Sequence, residues 1–152
     1  MKKLLAVILT VALLMSLSVT AFAANTIGGK ADITTSIAPT YTVTIPADVN
    51  VAFNATETAF GAIEVTASQI HPDKCIKVAL ATDKELNNAI DNTKVIPYAI
   101  KDSEGAAFTS ATYLTEGDKT ELSIHITADD WNAAYAGDYS DTVTFTVSYE
   151  DK

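Results

Sequence analysis

The chain has 152 residues, 48% of them hydrophobic, and sets 19 carboxylates against 10 basic residues for a formal net charge of −9. Every basic residue is a lysine, so the bidentate arginine grip that suits nucleotide and sugar-phosphate ligands is missing. The acidity also argues against nucleic acid and anionic lipid, since both attract basic faces.

Residues 1–23 have the three parts of a secretory signal. Lys2 and Lys3 supply the positive start, Leu4 to Leu14 is apolar save for Thr10, and Ala21-Phe22-Ala23 gives signal peptidase its small residues. Cleavage is expected before Ala24. A retained anchor would need roughly 20 apolar residues, more than this run provides. No cysteine follows the signal and no apolar tail closes the chain, so the expected product is secreted or held at the cell surface, with no stable membrane insertion. Residues 24–152 then form one domain of 129 residues at net charge −11, large enough to fold without metal or disulfide.

Beyond the signal the dominant period is two, the strand period. Ile33, Thr35 and Ile37 alternate with polar residues between the Gly28-Gly29 hinge and Pro39. Tyr41, Val43 and Ile45 follow as a second strand, and Ile63, Val65 and Ala67 as a third. A fourth holds Ile76, Val78 and Leu80 on one face, with Cys75, Lys77 and Ala79 on the other. Asp83 to Ile90 reads as about two helical turns with Asp83 as cap. Lys94 to Ile100 is a weaker strand, in which Pro97 points to an edge or a bulge. Leu122, Ile124 and Ile126 make another strand, and Thr127 to Ala136 a short helical turn carrying Trp131 and Tyr135 inward. Val143, Phe145, Val147 and Tyr149 make the last strand, expected at the centre of the core. About seven strands, each with one apolar and one Thr-rich face, predict antiparallel sheets packed as an immunoglobulin-like β-sandwich.

Little here points to chemistry. His71 precedes Pro72 in a loop, and His125 sits on the polar face of its strand; neither has a nameable partner for general-base work. There is no zinc spacing and no glycine-rich phosphate loop. Asp130, Asn132 and Asp141 fall at positions one, three and twelve of a calcium loop, but Ala134 and Tyr135 occupy positions five and six, where a ligand and a glycine belong. Catalytic, cofactor-binding and metal residues are therefore all assigned as none, and the protein is read as no enzyme. Cys75 cannot form an intrachain disulfide because it has no second cysteine. It reads as a buried filler before it reads as an exposed thiol pairing between chains. Trp131 and Tyr135 likewise read as core plugs before a sugar-stacking platform.

The closing stretch Ala136-Gly-Asp-Tyr-Ser-Asp-Thr-Val-Thr-Phe-Thr-Val-Ser-Tyr149 resembles the final strand of bacterial fimbrial subunits and spore-coat-U-like proteins. Pro39-Thr-Tyr-Thr-Val-Thr-Ile-Pro46 is similar to openings of small surface proteins of Gram-positive bacteria, including relatives of the WxL group. The paired cysteines usual in fimbrial subunits are absent, and Trp131 is followed by Asn132-Ala133 rather than x-Leu. The resemblance implies a structural or adhesion module at the cell surface, polymerising in pilin-like fashion by lending one strand to a neighbour. Its partners would be itself or other surface proteins. The alternative is an extracellular carbohydrate- or calcium-binding module; a small secreted hydrolase or inhibitor comes third. The lendable strand is Lys30 to Ala38, with Ile33 and Ile37 as the exchanging side chains. Its simpler reading is as the first strand of its own sandwich.

Overall fold

The computed structural model describes residues 30–152. The predicted signal, its cleavage site and the Gly28-Gly29 hinge lie outside the described residues.

Ten strands and one short helix follow in order: β1 (Thr40–Thr44), β2 (Glu57–Gln69), β3 (Lys74–Ala81), β4 (Glu85–Asn88), β5 (Val95–Pro97), β6 (Ala99–Asp102), β7 (Ser110–Tyr113), β8 (Lys119–His125), α1 (Ala128–Ala133), β9 (Tyr139–Ser140) and β10 (Thr144–Asp151). One sheet has the order β1-β2-β8-β6, a second β10-β3-β7, and a small third β5-β4-β9. All pairings are antiparallel. The molecule is therefore all-β, as the period-two runs predict.

The first two sheets share one apolar core. Ile63 and Val65 of β2, Ile76 and Val78 of β3, Ile100 of β6 and Ile126 after β8 are all but sealed from solvent. Each such burial is worth about 1.5–3 kcal/mol. Alternation puts these residues on the inner face, and a β-branched side chain packs well on a pleated surface. Long β2 bends where its pairing with β8 slips between Ala59 and Gly61. Gly61 takes φ +119° there, with Pro46 stacked 3.5 Å from where a Cβ would stand. The contact with the proline would be an ordinary one, so it is the positive φ at the bulge that favours glycine.

The two flanks of the paired sheets differ. On one, the chain passes from β6 to β7, and Phe108 N–H bonds Ile100 O at 2.9 Å while Leu80 N–H bonds Thr109 O at 2.8 Å. On the other, β1 and β10 are both edge strands, and Tyr41 stacks on Tyr149 across the gap.

Five expectations are corrected. Residues 30–39 form no strand; Ile33 is 99% and Ile37 67% exposed, because alternation without a ladder partner leaves the backbone to water. The segment Asp83–Ile90 is not helical. Lys84 takes φ +62°, Asp83 accepts the Glu85 N–H, and residues 85–88 pair as β4. Lys94 to Ile100 is not one strand: Pro97 lies on an edge, as expected, but it ends β5, and β6 starts after Tyr98. Val143, just ahead of β10, and Phe145 and Val147 within it are only partly buried, since β10 is an edge strand and one side of it lacks a neighbour. Finally, α1 stops at Ala133, so Trp131 packs on the core but Tyr135 stands 64% exposed.

Candidate functional site

The residues first considered for chemistry are scattered. His71 pairs with Asp73 in an exposed loop. His125 hydrogen-bonds Ser123 on the outer face of β8, and Glu57 lies 3.9 Å away. Asp130 turns to Thr127 at the start of α1, whereas Asp141 is held by Thr82 at 2.7 Å and by Tyr98. The carboxylates of the calcium-loop comparison thus serve separate local bonds. Burial works against ionisation of Asp141, but hydrogen bonds from Tyr98, Thr82 and the Thr142 N–H outweigh it and hold the carboxyl below its usual range. Burial, reinforced by that carboxylate, pushes the Tyr98 phenol up. This cluster ties the β3–β4 turn to the approach of β10, which is a structural task. Cys75 is 4% exposed and points its Sγ at Asp151 O, 3.7 Å away; the exposed-thiol alternative has no support in this geometry.

Two surfaces remain with unspent binding capacity. The first is the outer edge of β10. Leu80 N–H bonds Thr109 O, just ahead of β7, so Ile76, Val78 and Leu80 direct their backbone groups away from β10, while Cys75, Lys77, Ala79 and Ala81 direct theirs toward it. In the register Thr144↔Ala81 to Asp151↔Lys74, it is then Thr144, Thr146, Ser148 and Glu150 that bond β3. Phe145, Val147 and Tyr149 present N–H and C=O to the outer side, where no strand of the described residues lies.

The second is an aromatic cleft of about 330 Å³ at the pole where β2 begins and β8 ends, lined by Phe53, Ile96, Trp131, Tyr135, Gly137 and Tyr139 among others. Thr127 builds it by capping α1: its hydroxyl accepts the Asp130 N–H, and Asp129 and Asp130 complement the helix start. The helix then delivers Trp131, whose Nε1–H donates to Ala55 O at 2.9 Å and pins the 51–56 loop. Phe53 meets the Trp131 ring edge-on, with centroids 5.7 Å apart. Beyond the helix the Tyr139 hydroxyl donates to Tyr135 O at 2.9 Å, and Lys94 Nζ lies 5.0 Å from the Tyr135 ring centre. Trp131 and Tyr135 stand out in the sequence as candidates for such a surface, whereas Phe53, Ile96 and Tyr139 do not. The signal for Phe53 was an aromatic in a loop with no alternating neighbours.

No protein-family model matches the chain, and no match was found among curated proteins.

Proposed function

We propose that this is an exported surface module that joins copies of itself by strand addition, residues 31–38 of one copy lying along the outer edge of β10 in the next. Export rests on the N-terminal signal pattern alone. The supporting observation for joining is a complementary pair: a strand-length, alternating segment without a ladder, and a strand edge without a neighbour. Both are eight residues long, and antiparallel pairing would bring Ile33 and Ile37 over the gap beside Tyr41 and Tyr149.

An immunoglobulin-like reading sharpens the idea. In that fold one sheet runs A-B-E-D and the other C-F-G. The order β1-β2-β8-β6 fits A-B-E-D, and β3 with β10 fits C and F. The place of G, beside β10, is then the open one. Such head-to-tail pairing is heterologous and extends into an open filament unless the rotation between copies closes a ring.

Electron microscopy and sedimentation of residues 24–152 test this. Expected are filaments or concentration-dependent oligomers. Ile33→Asp with Ile37→Asp should abolish them without lowering the melting temperature. Val147→Pro should abolish them from the acceptor side, at some loss of stability from its core packing, because proline is tolerated where an edge N–H faces outward but cannot receive a new strand. A chain that stays monomeric at every concentration, and whose form lacking residues 24–38 binds no Lys30–Ala38 peptide, would overturn the proposal.

A further inference from the structure

We infer that the aromatic cleft formed by Phe53, Trp131, Tyr135 and Tyr139 binds a neutral oligosaccharide. This goes beyond strand addition and does not depend on it.

Phe53 is 78% and Tyr135 64% exposed. Rings so placed add little to folding, since the hydrophobic gain scales with area removed from water. Yet both are held in place. Phe53 is on the loop pinned through the Trp131 indole to Ala55, and Tyr135 on the turn pinned by the Tyr139 hydroxyl. Two exposed rings on anchored backbone amount to a preformed surface, which saves a ligand the cost of ordering it.

The shape and chemistry select the class of ligand. A pyranose has a flat apolar C–H face and a hydroxylated rim. Laid on an aromatic ring, it buries the first and leaves the second in water or on hydrogen-bonding groups. Lys94 Nζ lies over one face of the Tyr135 ring, 5.0 Å from its centre, and is a donor for hydroxyls of a sugar at that ring. Asn88 lies beside the cleft wall, its Nδ2 only 2.6 Å from where a Cβ on Gly137 would stand. At about 330 Å³ the cleft is at the small end of ligand sites, enough for one or two sugar units. The net charge of −9 disfavours anionic glycans. A peptide could also use the edges of β5 and β9 beside the cleft, and it is one arm of the test; the stacking rings and the rim donor favour the neutral sugar.

The test uses Trp131, the one tryptophan of the chain, as an intrinsic reporter. Its emission is followed on adding cellotetraose, maltotetraose, chitotetraose, sialyllactose or a proline-rich peptide. The protein is residues 24–152 carrying Ile33→Asp and Ile37→Asp, so that assembly neither covers the cleft nor affects the result. A saturable emission shift with a neutral sugar is expected, weakened about tenfold or more by Phe53→Ala and by Tyr135→Ala at unchanged melting temperature. The inference is overturned if no neutral sugar gives a saturable shift, if the shift survives both substitutions, or if only sialyllactose or the peptide produces it. Filaments formed by the parent chain would stand whichever way this falls.

Discussion

Tyr41 of β1 and Tyr149 of β10 stack with ring centroids 5.9 Å apart and planes inclined by 29°, joining the two main sheets along the flank where no ladder joins them. The Tyr149 hydroxyl also accepts the His71 N–H at 2.9 Å, which draws the β2–β3 turn onto the same point. The opposite flank is closed by backbone bonds, whereas this one rests on side-chain contacts, of which the stack is one. Replacing Tyr41 and Tyr149 by Ala singly and together should give a coupling of about 0.5–1.5 kcal/mol in urea unfolding. A coupling of zero would mean that the stack contributes nothing and the flank is held by other contacts.

Core and edge should differ in energetic weight. Ile76 is fully buried and its replacement by Ala should cost about 2–5 kcal/mol. Phe145 packs on Phe60, 6.0 Å between centroids, but sits on an edge strand. Its loss to Ala should fall at or below the lower end of the roughly 3–5 kcal/mol typical of core aromatics. Thermal melting of the two variants decides the order.

How far these features can be read from the sequence depends on whether they are local. Alternation finds β3 and β8 because their inward residues are β-branched or Leu and their outward ones small or polar, whatever they pair with. Ile33 and Ile37 alternate equally well, and nothing in the chain itself states that no ladder receives them. The segment Asp83–Ile90 has good helix formers, yet Leu86↔Ile96 pairing outweighs a propensity of tenths of a kcal/mol per residue. The cleft draws Phe53, Ile96, Trp131 and Tyr139 from four separate stretches. No spacing rule connects residues that meet only through the fold.

Acid should weaken the domain in a defined window. The backbone N–H groups of Leu114 and Thr115 hold the Asp118 carboxyl below its ordinary value, and the Asp141 carboxyl is lowered as described. Folded values below the unfolded reference of 3.8 mean that the ionised forms add stability fully above that pH. The contribution is lost as pH falls through 3.8 toward the lower folded values. Urea midpoints should therefore decline on acidification in this range, and Asp118→Asn and Asp141→Asn should each flatten the decline. Identical pH profiles for parent and variants would contradict the assignment.

The pole bearing the cleft has two weak points. Thr127→Ala removes the cap of α1 and should cost about 1 kcal/mol, together with a red shift of Trp131 emission as the helix loosens. Gly137→Ala meets φ +149° and the Asn88 amide at 2.6 Å, and should destabilise by more than about 1 kcal/mol. If Gly137→Ala melts with the parent, the turn is softer than its geometry implies.

Cys75 faces the last residues of β10, its Sγ 3.7 Å from the Asp151 carbonyl, in a chain with no other thiol. Lys77, Thr112 and Leu114 surround the thiol together with the end of β10, so a labelling reagent reaches that sulfur faster when that end lifts away from β3. The rate at which the folded protein takes up a thiol probe is therefore a clock for the fraying of one strand, read without introducing any foreign residue. Anything that settles on the outer edge of β10 would slow that clock, and anything that peels the strand would quicken it.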